Sequence, residues 1–130
     1  MKNFLNFINN NHEYSNNEMN KIIKFIGKLC KYENKKANAI FNFNISKNIL
    51  NDTDFNASVR SNNIYSNDIK QVTKILDKVC EKLNMYPTIN IMINTFGRST
   101  NYNINCTFEF TEKNKLDILA TIEGNKLGLL

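Results

Sequence analysis

Lys21, Lys24, Lys28, Lys31 and Lys35 recur every three or four residues in the stretch KIIKFIGKLCKYENKK. On a helix turning 100° per residue they fall within one stripe about 80° wide. Ammonium groups spaced one helical turn apart suit the phosphates of a nucleic acid, which lysine meets as a point charge without reading bases. Aligned like charges repel, each i,i+4 pair costing a few tenths of a kcal/mol. A stripe without interleaved acids therefore needs a reason.

The placement of charge sharpens this. The chain carries a net charge of +5. Residues 15–36 hold six Lys and two Glu, a net +4. Residues 66–84 set Lys70, Lys74, Lys78 and Lys82 against Asp68, Asp77 and Glu81, a net +1. All other residues sum to zero. The weight of a pI near 9.1 is nevertheless tempered by composition. Asn, Ile and Lys are abundant, Lys far outnumbers Arg, and there is one Pro and no Trp. Those abundant residues have A/T-rich codons, which points to an AT-rich genome such as that of a virus, a phage, a low-GC bacterium or a parasite. Mutational bias of that kind supplies lysines by itself. The alternative to a polyanion grip is thus the solvated back of an ordinary helix, or a face for an acidic protein surface.

Other chemistries find little support. Cys30, Cys80 and Cys106 are widely spaced, form no C-x-x-C pair and lack the spacing of zinc ligands. Each lies on an apolar face, where a free Cys behaves as a small hydrophobe. A Ser–His or Cys–His pair would have to use His12, the only histidine, in what reads as a polar linker. Asp52 and Asp54 suit turn formation; Glu109, Asp117 and Glu123 fall on the open side of the predicted strands. The glycines at 27, 97, 124 and 128 make neither a P-loop nor a G-x-G-x-x-G. No catalytic, cofactor or metal motif emerges.

The elements that would carry these residues follow from periodicity. KNFLNFI at 2–8 predicts one or two helical turns, and Asn9–His12 breaks the pattern, so residues 1–14 read as a loosely attached segment. Ser15-Asn-Asn-Glu18 has capping-box spacing and opens a helix from about 15 to 34. Its core stripe is Met19, Ile22, Ile26, Leu29 and Cys30, with Phe25 and Tyr32 at one border of the lysines. Alternation predicts strands over 39–46 (Ala39, Phe41, Phe43, Ile45 inward) and 55–60 (Phe55, Ala57, Val59 inward). Ser66-Asn67-Asp68 opens a second helix, stopped near Asn84 ahead of Pro87. Three further strands are predicted: Ile89–Thr95, Tyr102–Phe110 after an FGRS turn, and Leu116–Ile122 after TEKNK. Leu127, Leu129 and Leu130 could make a short last strand.

The expected fold is α+β: one domain over 1–130, with two helices on one face of a largely antiparallel sheet of about five strands, in the order α-β-β-α-β-β-β. With 130 residues the chain is long enough to bury a core without disulfides or metal. The other sheet face would be polar: Asn42, Asn44, Asn56, Ser58, Arg60, Asn90, Asn94, Asn103, Asn105 and Thr107. Its aromatics fall on the core parity, unlike a base-stacking RNA platform. No apolar run approaches the ~18 residues of a membrane span, and the N-terminus lacks export-signal features, so an intracellular protein is expected. The functional expectation is a non-enzymatic binding protein making sequence-tolerant nucleic-acid contact through Lys21, Lys24, Lys28, Lys31 and Lys35. The alternative is a protein-binding module, an inhibitor, immunity or assembly factor, docking by the Asn-rich face or a sheet edge. An enzyme with a dispersed site ranks third.

Overall fold

Met19, Ile22, Ile26, Leu29 and Cys30 are buried along one stripe of a helix, α1 (Lys2–Lys36). They belong to a computed structural model that describes residues 2–49 and 55–124. Strands β1 (Asn44–Ile49) and β2 (Phe55–Ile64) follow, then α2 (Ile69–Lys82), β3 (Thr88–Phe96), β4 (Ser99–Phe110) and α3 (Glu112–Gly124). The protein is α+β. Among the described residues its sheet is open, antiparallel and four-stranded, in the order β1-β2-β4-β3.

Register explains the core. Ala57 pairs with Phe108 and Val59 with Cys106 across the centre of the sheet, so all four side chains share one face. That face, with Ile104 and Phe110, meets the buried stripes of α1 and α2, the latter being Val72, Ile75, Leu76, Val79 and Cys80. Burial of each Val, Ile, Leu or Phe side chain among them stabilises the fold by about 1.5–3 kcal/mol. The opposite face carries Asn56, Ser58, Arg60, Asn103, Asn105 and Thr107, as alternation predicted, and no described helix covers it.

Two helix ends use asparagine. Asn38 (φ 54°) and Asn84 (φ 56°) sit in the left-handed region just past α1 and α2. In α2 the Met85 N–H donates to the Cys80 carbonyl at 3.0 Å and Asn84 to Glu81 at 3.1 Å. In α1 Ala39 donates to Asn34 at 2.9 Å and Asn38 to Lys35 at 3.1 Å. Both are Schellman motifs, with Asn where Gly is commoner. The stop near Asn84 is therefore local backbone chemistry, with Pro87 preventing resumption. Gly27, in mid-helix, packs close to β1: a Cβ there would lie 3.3 Å from Ile45 Cδ1.

Four expectations need correction. First, α1 does not begin at a Ser15 cap; it runs unbroken from Lys2, and His12 is a helical residue rather than part of a linker. Asparagine is a weak helix former but no breaker, and propagation through it costs less than a new nucleus. Second, residues 39–43 are not strand. β2 is irregular between Ser61 and Ile64 where it pairs with β4, and beside that stretch the Asn34 side chain serves Phe41, donating to its carbonyl at 2.7 Å and accepting from its N–H at 3.3 Å. Ser61 Oγ donates to the Asn42 carbonyl at 2.8 Å. Third, the fifth strand at 116–122 is the helix α3, making the order α-β-β-α-β-β-α. Thr111 and Asn114 form a reciprocal cap: Asn114 N–H donates to Thr111 Oγ1 at 3.3 Å, and Thr111 N–H to Asn114 Oδ1 at 3.1 Å. Fourth, Ser66–Asp68 forms a 3-10 turn, and α2 starts at Ile69 without a side-chain cap. The expected strand at Leu127–Leu130 and the turn residues Asp52 and Asp54 lie outside the described residues.

Candidate nucleic-acid interface

The stripe on α1 exists because the opposite stripe is needed by the core. Burying Met19, Ile22, Ile26, Leu29 and Cys30 fixes the roll of the helix. Lys21, Lys24, Lys28, Lys31 and Lys35 are then all exposed. Among the described residues the ion pairs are Lys78–Glu81 at 3.9 Å, Lys82–Glu33 at 3.1 Å and Lys115–Glu112 at 3.1 Å. None of the five stripe lysines takes part. The contrast with α2, read from sequence as acid diluted, shows in Lys78, which faces Glu81 of its own helix, while Lys82 is met by Glu33 of α1.

Clefts flank the stripe at its two ends. Lys31 and Lys35 line one of about 530 Å³ together with Ile40, Phe41 and Phe43. Lys21 and Lys24 line another of about 610 Å³ between α1 and α3, where Glu18 and Glu123 also sit. Carboxylates oppose a polyanion, so Lys28, Lys31 and Lys35 form the purer basic end. Lys47, on the β1 edge, bonds the Asn20 side chain and adds a cation beside the helix. Of the two border aromatics, Phe25 is buried and Tyr32 is 38% exposed.

Beside Tyr32 lies a cluster that spacing could not reveal. Glu33 is buried and meets Lys82 from α2. The Lys82 ammonium also stands 4.1 Å from the Tyr32 ring centroid, and that of Lys36 stands 6.0 Å away, within cation–π range. Glu33 at the wet end of an otherwise apolar helix stripe was the available signal. A further cleft of about 400 Å³ opens next to it, lined by Lys36, Lys74 and Lys78. Lys115, on α3, is buried with only its ammonium paired to Glu112.

The remaining candidates disperse. Asp117 and Glu123 are on α3, not on the open sheet face; Glu109 alone of the three is there. Among the described residues no three His, Cys, Asp or Glu side chains gather as a metal site requires. All three cysteines are buried, on the faces periodicity assigned. What spacing did not show is that Cys80 and Cys106 meet, Sγ to Sγ, at 3.6 Å. Donation to Cys106 and burial push the Cys80 thiol up. Cys106, accepting from Cys80 and from the Thr88 N–H, is drawn down against the effect of burial. Burial pushes Cys30 up to about 12.

Burial decides the thiol chemistry, since the downward shift at Cys106 alone would favour reaction. Only thiolate reacts, and only where reagent reaches it. A disulfide reagent at pH 8 should label the native protein slowly at all three positions and the unfolded protein at once. Rapid native labelling of Cys106 would contradict its inward position, and with it the parity of β4.

Fold and surface together define a small two-layer α+β protein with one strongly basic helix. No family model, no curated protein and no solved structure matches the chain. No described helix is long and apolar enough to cross a membrane.

Proposed function

We propose that this is a binding protein without catalytic activity that holds nucleic acid by its phosphates, tolerating any sequence, through Lys21, Lys24, Lys28, Lys31 and Lys35 of α1. One observation carries the reading: five exposed lysines on one face of one helix, none of them in an ion pair among the described residues. Lysine without arginine favours point-charge contact with phosphate over bidentate reading of bases. Low sequence specificity follows. Fluorescence anisotropy with labelled oligonucleotides of unrelated sequence, at about 50 mM salt where phosphate contacts are strong, tests it. Similar affinities across sequences are expected, and no binding to either DNA or RNA would end the reading.

A second reading, a protein-binding module, has its own support in the sheet edge. Ile91, Met92, Ile93 and Phe96 of β3 are exposed, whereas the Asn-rich face offers mostly short polar side chains.

A further inference from the structure

Among the described residues β3 is an edge strand, nine residues long, TINIMINTF. Edge strands in native proteins are usually blunted by a charge, a proline or a bulge. The other edge has such a device: Lys47 pairs with Ala57 on the helix-covered side of β1, an inward-pointing charge. β3 has none, since it holds no charged residue and no Pro and its pairing with β4 is regular from Thr88 to Phe96. It is also apolar where apolar residues should be covered. Ile91 and Ile93 pair with Ile104 and Tyr102 on the core side, yet are 45% and 65% exposed.

We propose that β3 pairs antiparallel with β3 of a second copy, making a closed dimer with one continuous sheet. Two observations point to a second copy as the occupant, and charge does not oppose it at this edge. The first is hydrogen-bond parity. The two-residue turn Gly97-Arg98, with Gly97 at φ 63°, makes Phe96 and Ser99 a bonded pair. By alternation Ile89, Ile91, Ile93 and Thr95 then turn their N–H and C=O groups to the open edge. The register that pairs all nine residues, Thr88 with Phe96 and Met92 with itself, sets Ile91 against Ile93 and Ile89 against Thr95. Outward-facing residues meet outward-facing residues throughout, which a two-fold axis at Met92 requires. The second is packing. In this register Ile91 and Ile93 of both copies form one apolar row on the helix side, covering what α2 leaves bare.

Charge permits the contact here. Two copies of a chain with net charge +5 repel over most of their surface, and β3 is neutral along its whole length. Growth stops at two, because among the described residues each copy has one such edge and the other is guarded by Lys47. An axis perpendicular to the sheet keeps both helical layers on the same face. The proposal does not depend on nucleic-acid binding.

Sedimentation velocity across about 1–300 µM, the range where a small interface associates, tests the dimer without any ligand. The mass should rise from 15.1 kDa towards twice that value and stop. Ile93→Lys, at an exposed position, should keep the native circular dichroism and remain at the monomer mass. Met92→Cys should give a disulfide-linked dimer under mild oxidation, and Asn90→Cys much less. A wild-type chain that stays monomeric overturns the proposal and leaves the edge to a strand of another protein. So do assemblies larger than two, or an Ile93→Lys variant that dimerises like wild type.

Discussion

Changing Lys24, Lys28 and Lys31 together to Gln will weaken nucleic-acid binding and flatten its salt dependence. Each phosphate contact adds about −0.9 to the log–log salt slope for duplex, or about −0.7 for single strands. Four or five engaged lysines therefore give a wild-type slope near −3 to −4.5, and the triple variant should lose about two to three units of it. Folding should survive, because all three side chains are exposed and Gln nearly matches Lys in helix propensity. The matching change of Lys70, Lys74 and Lys78 is the control. Lys78 already faces Glu81 at 3.9 Å, and that helix is nearly neutral, so the slope should change less. Anisotropy titrations at four or five salt concentrations read both variants. Equal slopes for the two triples would reduce the stripe to a solvated helix back.

The second large effect concerns stability. Phe108 is 1% exposed, opposite Ala57 in the middle of the sheet, with its ring centroid 6.0 Å from that of Phe110. Phe108→Ala should cost roughly 3–5 kcal/mol in urea unfolding, the usual range for an aromatic removed from a core. Asn105, on the other face of the same strand, makes one side-chain bond of 3.2 Å to Thr107 Oγ1. Its Oδ1 has no protein partner. Asn105→Ala should therefore cost less than about 1 kcal/mol. Comparable losses would mean that the sheet is covered on both faces.

The strands β2 and β4 and the buried face of α2 could be read from sequence because one face of each is buried by a neighbour. Periods of 2 and 3.6 are then written directly into residue type. Residues 116–122 show where this fails. Leu116, Ile118, Ala120 and Ile122 alternate, but Ile118, Leu119 and Ile122 also fit a helix. The structure uses the second set, with Lys115 completing the buried row. Short segments satisfy both periods, and the deciding signal was the Thr111–Asn114 cap, which looked like a polar turn. Residues 39–43 alternate too. The stretch of β2 beside them is irregular against β4 at Ser61–Ile64, and a defect in one strand leaves no mark on the sequence of another.

For the candidate surfaces the division is similar. Sequence alone determined the lysine stripe, because helical spacing and the apolar stripe opposite it are local properties of one segment. The exposure of all five lysines then follows from burying the other side. Sequence alone also determined that the cysteines face inward. Tertiary structure decided what lies beside them: Cys80 against Cys106, Glu33 against Lys82, and carboxylates near the first two lysines of the stripe. It also decided that β3 is an edge among the described residues. The alternation of Ile89, Ile91 and Ile93 specifies a face, but strand order and the reach of α2 determine how much of that face is covered. Periodicity records the direction of a side chain along its own element, whereas cover depends on the packing of elements distant in the chain.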